Sequence, residues 1–153
     1  MFKQYYLAYG SNLNLNEMKY RCPSAKKIGS TTLKGYRLVY KGYEDKSAYL
    51  TIEESKDSII PLGVFEVSLI DILKLNKYEG YPHLYSKRYI PIKIKGEEVN
   101  ALIYVMNDNF DYHLPSEEYV LSCIEGYEDF GFDKSILNKA LIDTKENLPK
   151  IKR

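Results

Sequence analysis

Between Ala25 and Val67 the chain offers one β-forming run after another, Tyr36 to Tyr40, Ala48 to Ile52 and Ile59 to Val67, separated by glycines and charged clusters. No helical period lies between them, which excludes a doubly wound α/β fold, where a helix occupies each crossover. Tyr5 to Tyr9 is a further apolar and aromatic strand, broken by the turn formers Gly10-Ser11-Asn12. Tyr89 to Ile94 and Val99 to Met106 flank Lys95-Gly96-Glu97-Glu98 and read as a hairpin. Helices are few. Asn14 has Glu17 in capping-box spacing, and Pro23 ends that helix soon after Arg21. Ser68 caps a second, carrying Leu69, Ile72, Leu73 and Leu75 toward the core, which Gly80 and Pro82 terminate with Tyr78 and Glu79 at its C-terminal end. Ser116 caps a third, whose Tyr119, Val120, Cys123, Ile124 and Tyr127 form one apolar face. Asp133 starts a fourth, burying Ile136, Leu137, Ala140 and Leu141. The expected class is α+β: a mixed, mainly antiparallel sheet closing into a small β-barrel flanked by short helices.

With 153 residues there is room for one core, so residues 1–153 read as a single domain with a frayed polar tail over 145–153. The 22 Lys and Arg against 21 Asp and Glu leave a charge of +1, without the basic excess that binding a phosphate backbone exploits, so nucleic acid is not the expected partner. No apolar run is long enough to span a membrane, and the segment after Met1 lacks the apolar stretch of a signal peptide. A cytoplasmic protein without membrane attachment is the expectation. Cys22 and Cys123, far apart in sequence and without a second Cys or paired His nearby, read as buried thiols. Sixteen tyrosines need partners for their hydroxyls, which points to a polar cavity or the surface.

Most polar candidates have an ordinary reading. Ser11 lacks the G-x-S-x-G elbow and reads as a turn serine; His83 and His113 have no carboxylate in H-E-x-x-H spacing, so no metal is expected. Glu53-Glu54, Glu97-Glu98 and Glu117-Glu118 sit at turns or a helix start and read as solvated. Glu79 differs. A helix C-terminus disfavours a negative charge, and Tyr78, Tyr81 and Tyr85 surround this one. Burial there would lift its pKa from about 4.3 toward the range useful for moving a proton near neutral pH, which makes Glu79 the general-base candidate. The small-residue loop after the first strand leads into a helix and presents free N–H groups suited to an anion.

Taken together, Tyr6-Leu7-Ala8-Tyr9-Gly10-Ser11-Asn12-Leu13, Arg21-Cys22-Pro23, Gly63-Val64-Phe65-Glu66-Val67, Leu75-Asn76-Lys77-Tyr78-Glu79-Gly80-Tyr81-Pro82 and Tyr85 resemble the γ-glutamylcyclotransferase family. Ala101-Leu102-Ile103-Tyr104 and Pro115-Ser116-Glu117-Glu118-Tyr119 extend the likeness, which spans residues 5–140. The resemblance implies a small β-barrel with a substrate cavity at one end. It implies Glu79 as catalytic acid/base; Tyr6, Leu7, Ala8, Tyr9, Gly10, Ser11 and Tyr119 as substrate-binding residues; and Asn12 as support for the loop. Asn76 departs from the pattern, in which Asp often stands three residues before the Glu.

The implied reaction, in the setting of glutathione metabolism, is attack of a glutamyl α-amine on its own γ-carbonyl. It releases 5-oxoproline and a free amine or amino acid, without metal or cofactor. N–H groups around Gly10 and Ser11 would hold either the substrate α-carboxylate or the oxyanion. The implied partner is a small γ-glutamyl compound, and the oligomeric state stays open. One alternative is a γ-glutamylamine cyclotransferase, differing only in the leaving amine. Another is a small-molecule binding domain without catalysis, against which a buried Glu79 argues, since a binder of a carboxylate-bearing ligand gains nothing from it. The loops Tyr43 to Ser47 and Asn107 to His113 are expected to form the mouth of the cavity.

Overall fold

The computed structural model describes residues 3–149. Its elements are β1 (Gln4–Ala8), a 3₁₀ turn (Ser11–Leu13), α1 (Leu15–Arg21), β2 (Lys26–Gly42), β3 (Ala48–Val67), α2 (Leu69–Tyr78), β4 (Tyr85–Ile94), β5 (Glu97–Met106), β6 (Asp111–Tyr112), α3 (Glu117–Phe130) and α4 (Ser135–Glu146). The strands form one six-stranded sheet in the order β4-β5-β1-β3-β2-β6. All neighbours are antiparallel except β1 and β5, which run parallel around Tyr6 opposite Leu102.

The α+β class and the mainly antiparallel mixed sheet stand, but the barrel does not close. Among the described residues β4 and β6 are free edges. The outer edge of β4 carries Lys87, Arg88, Pro91 and Lys93, residue types that resist pairing, and β6 is two residues long.

The short runs after Ala25 are also longer than expected. They merge into the β2–β3 hairpin, paired from Lys26 opposite Glu66 to Gly42 opposite Ala48. The supposed breaks face one another: Gly35 (φ +85°) lies where Lys34 pairs with Ile59 and Tyr36 with Glu54, leaving 55–58 as a bulge with Asp57 at φ +69°. A break shared by both strands bends a hairpin without ending it. The β4–β5 turn is shorter than expected, with Ile94 opposite Glu97. Lys95 (φ +51°) and Gly96 (φ +82°) form its corner.

The helix starts largely behave as the sequence indicates. Ser68 and Asp71 form a complete capping box on α2, and Ser116 Oγ accepts the Tyr119 N–H (3.2 Å) at the start of α3. Asn14 Oδ1 accepts the Glu17 N–H (3.2 Å), but the Glu17 carboxylate turns away to Arg21 and Ser122. Asp133 accepts the Ser135 N–H (2.9 Å) ahead of α4, which buries Leu137 and Ala140 while Ile136 and Leu141 are only partly covered. α4 continues to Glu146, so Lys145 and Glu146 are helical; residues 150–153 of the expected frayed tail lie outside the described residues.

Leu69 and Leu73 are exposed, because, of its apolar side chains, α2 buries only Ile72 and Leu75. Leu7, Leu13, Leu62, Leu102 and Ile103 are fully buried together, each worth roughly 1.5–3 kcal/mol against exposure. Both cysteines are buried and free. Glu53 is not simply solvated: it accepts from Arg37 (2.7 Å) and Tyr112 (2.7 Å) on the sheet face.

Candidate active site

β1 is short, and its shortness makes the cavity. Pairing of β1 with β3 stops at Ala8 opposite Gly63, while β5 runs on to Met106 and β3 continues past Leu62 toward Leu50. The gap beyond Ala8 is bridged by side chains. The Met106 N–H donates to Thr51 Oγ1 (3.0 Å), the Tyr85 hydroxyl donates to the Leu50 carbonyl (2.7 Å), and the Leu50 N–H donates to the Tyr119 hydroxyl (3.1 Å). The result is a cavity of about 520 Å³, roofed by the segment after β1 and the C-terminal end of α2.

Nine of the 16 tyrosines line it: Tyr6, Tyr9, Tyr43, Tyr49, Tyr78, Tyr81, Tyr85, Tyr104 and Tyr119. Several hydroxyls are tied down inside the wall. Tyr9 donates to the Tyr104 carbonyl (2.6 Å), Tyr104 to Asn76 Oδ1 (2.6 Å), and Tyr78 shares a hydrogen bond with Ser11 Oγ (3.1 Å). Burial pushes the phenols of Tyr6, Tyr85 and Tyr119 well above their ordinary range, so they are neutral donors and acceptors at neutral pH.

Glu79 is the C-cap of α2, and Gly80 (φ +64°) turns the chain away behind it. Loss of hydration raises its carboxyl to about 7, against the opposing pull of the Arg21 charge. The Asn12 amide donates to Glu79 Oε1 (3.2 Å) and to the Tyr6 hydroxyl (2.9 Å), while Arg21 Nη1 donates to Asn12 Oδ1 (2.6 Å). The 3₁₀ turn closes with Leu13 N–H to the Gly10 carbonyl and Asn14 N–H to the Ser11 carbonyl. That leaves Ser11 and Asn12 at the start of the turn, where N–H groups have no partner within it. A Cβ on Gly10 would sit 3.1 Å from the Tyr119 hydroxyl, so glycine keeps that approach open.

The residues singled out in the sequence therefore divide. Glu79, Tyr6, Tyr9, Gly10, Ser11, Asn12 and Tyr119 converge on the cavity. Leu7 and Ala8, fully buried in β1, are not among its lining residues. Of the two loops expected at the mouth, Tyr43 contributes; no residue of 107–113 does, although Phe110 packs edge-on against Tyr43 at 4.9 Å. Tyr49 and Leu50 carried no site role in the sequence, and Arg21 stood only in the family-like stretch Arg21-Cys22-Pro23. The Glu17-Arg21 pair has visible i, i+4 spacing, but nothing local foretells that Arg21 reaches Asn12.

A family model described as gamma-glutamyl cyclotransferase, AIG2-like, matches residues 6–121. The chain belongs to this family. Among solved structures, one titled gamma-glutamyl cyclotransferase shares 20% identity at a TM-score of 0.75, covering 99% of this chain and 91% of the other. An uncharacterized protein from Homo sapiens gives 20%, 0.73, 99% and 91%. YkqA from Bacillus subtilis gives 17% and 0.73, covering 99% of this chain but 57% of YkqA. At these identities the likeness concerns the fold. No curated protein sequence matches the chain.

Position 76, which carries Asn where the family resemblance suggests Asp, sits in the wall of the cavity. Asn76 uses its side-chain carbonyl to accept from Tyr104, so the hydrogen bond an Asp could provide is kept without adding a second negative charge to the cavity that holds Glu79. Family membership supports cyclotransferase-type chemistry here.

Proposed function

We propose that the chain is a γ-glutamylcyclotransferase, converting a γ-glutamyl amide into 5-oxoproline and a free amine or amino acid at the tyrosine-lined cavity. The observation that carries this reading is the placement of the Glu79 carboxyl in the wall of the tyrosine-lined cavity, held by the Asn12 amide at 3.2 Å, where burial lifts it to about 7. A substrate α-ammonium has a pKa near 8 and needs to lose its proton before it can attack. Transfer to a carboxylate near 7 is uphill by about one unit, or about 1.4 kcal/mol; transfer to an ordinary glutamate near 4.3 costs about 5 kcal/mol. The same group then returns the proton to the departing nitrogen.

The freed amine adds to the γ-carbonyl carbon, forming the ring C–N bond. The tetrahedral centre collapses with cleavage of the original C–N bond; the amine leaves with the proton from Glu79, and the second proton of the ring nitrogen passes to the released amine, which departs as an ammonium and leaves the neutral lactam. Holding the flexible glutamyl chain in a folded pose contributes roughly 7–11 kcal/mol, because attack within one aligned molecule replaces a bimolecular encounter. The N–H groups opening the 3₁₀ turn are donors for the developing oxyanion or for the α-carboxylate.

The test incubates wild type and Glu79→Gln with a panel of γ-glutamyl amino acids and γ-glutamyl amines and quantifies 5-oxoproline by mass spectrometry. Wild type is expected to form it. The folded Gln variant is expected to be slower by at least about a hundredfold, the usual effect of losing an acid/base group. Equal rates would remove Glu79 from the mechanism. No 5-oxoproline from either folded protein across the panel would overturn the cyclotransferase reading in favour of a binding domain.

A further inference from the structure

Asn12 has one acceptor and two donors on its side chain, and which way it faces decides what Glu79 meets. With the amide turned over, its oxygen would lie against the Glu79 carboxylate and repel it. Arg21 removes that option. A guanidinium can only donate, and Nη1 stands 2.6 Å from Asn12 Oδ1, so the NH₂ group is left to face Glu79 Oε1 and the Tyr6 hydroxyl. We propose that Arg21 is the positioning residue of this cavity, fixing the Asn12 amide so that it steers Glu79 and Tyr6 toward the substrate. The catalytic half of this inference rests on the cyclotransferase reading; the geometric half does not.

Arg21 is itself held from two sides, and its partner Glu17 is braced in turn. Nη2 donates to Glu17 Oε1 (2.7 Å), the guanidinium carbon lies 3.7 Å from the centre of the Tyr78 ring, and the other Glu17 oxygen accepts from Ser122 on α3. One planar group thus ties α1, the 3₁₀ turn and α2 together beside the cavity, which a lysine, with a single point of charge, does not reproduce. A second consequence concerns Tyr6. Its oxygen accepts from Asn12, so its own proton remains for a substrate oxygen.

The charges around Glu79 fit this role. The groups facing it are Tyr6 from β1, Tyr9 from the segment after β1, Tyr78 from α2, Tyr85 from β4, Tyr104 from β5 and Arg21 from α1. Lys77 and His83, also lining the cavity, are exposed to solvent. The tyrosines are neutral at pH 7, so Arg21 supplies the charge that holds the Glu79 carboxyl down against burial.

The experiment compares wild type, Arg21→Met and Arg21→Lys. It reads kcat and KM for 5-oxoproline formation from about pH 5.5 to 9.5, the Glu79 carboxyl by ¹³C NMR titration, and thermal melting. Arg21→Met is expected to lower kcat on the high-pH plateau by about tenfold or more with a smaller change in KM, and to move the acidic limb upward. Arg21→Lys keeps the charge, so its limb stays near that of wild type while kcat remains depressed. A purely structural role would lower the melting temperature and leave plateau kcat and limb unchanged in folded protein, which overturns the inference. If Arg21→Met does not fold, a wild-type plateau kcat in Arg21→Lys overturns it. If wild type forms no 5-oxoproline, the functional reading fails, and the titration alone decides on Arg21: an unmoved Glu79 carboxyl in Arg21→Met rejects it.

Discussion

A carboxyl that burial lifts to about 7 weighs on the stability of the fold that encloses it. In the unfolded chain Glu79 ionises near 4.3, and in the folded chain near 7. Below about pH 4 both states hold the proton and nothing is lost. As pH rises, the unfolded state gives up its proton first, and stability falls until the folded carboxyl has ionised too, above about pH 7. The full loss is about 4 kcal/mol. Glu79→Gln is therefore expected to melt up to about 10 °C higher than wild type at pH 8 and together with it at pH 4, measured by calorimetry. Melting alike at pH 8 would show that the carboxyl is not desolvated. The same carboxyl predicts that kcat/KM rises with pH through about 7 as the base form appears, in a rate profile of the wild type. Glu79 was legible in the sequence because a carboxylate at a helix C-terminus among tyrosines contradicts local preference. Arg21 was not, since its Glu17 pairing satisfies local preference completely and its contact with Asn12 exists only once α1 has folded back over the turn.

At the scale of elements, α2 is the arm that carries Glu79, and its start is fixed by the reciprocal Ser68 and Asp71 bonds. Asp71 also accepts the Ser24 hydroxyl (2.8 Å), which fastens the helix to the segment after α1. Ser68→Ala removes one cap bond and is expected to cost about 1 kcal/mol, or about 2–4 °C in melting temperature, while the acidic limb of activity stays in place. A shifted limb would mean that the cap tunes Glu79 as well as anchoring its helix. Helix starts were legible because capping is local chemistry between neighbours in sequence. The hairpin was not: Lys34-Gly35 and Glu53 to Ser58 each look like the end of a strand, and only their apposition turns two endings into one bend. Leu69 and Leu73 misled for the opposite reason, since helical spacing gives a face but not which face the sheet accepts.

Across the whole molecule, the cavity depends on how closely α3 presses the 3₁₀ turn against the sheet. Two glycines permit it. A Cβ on Gly63 of β3 would meet Leu13 at 2.5 Å and Phe130 at 2.7 Å, and one on Gly126 of α3 would meet the Asn14 nitrogen at 2.6 Å and the Leu13 carbonyl carbon at 2.7 Å. Gly126 is accepted inside a helix, at about 1 kcal/mol relative to alanine, because backbone and not a movable side chain lies opposite. Its role had no sequence signal, since a glycine amid helical spacing looks the same whether it packs or merely weakens. Gly126→Ala recovers helix propensity but forces the turn carrying Ser11 and Asn12 to move, so the net expectation is a loss of about 1–3 kcal/mol together with a fall in 5-oxoproline formation. Gly29→Ala, where a Cβ meets nothing within 4 Å, is the control and is expected to change neither. Calorimetry and the rate assay on both variants separate the cases: if Gly126→Ala keeps wild-type melting and rate, the close approach of α3 does not position the turn, and the cavity is held by the sheet alone.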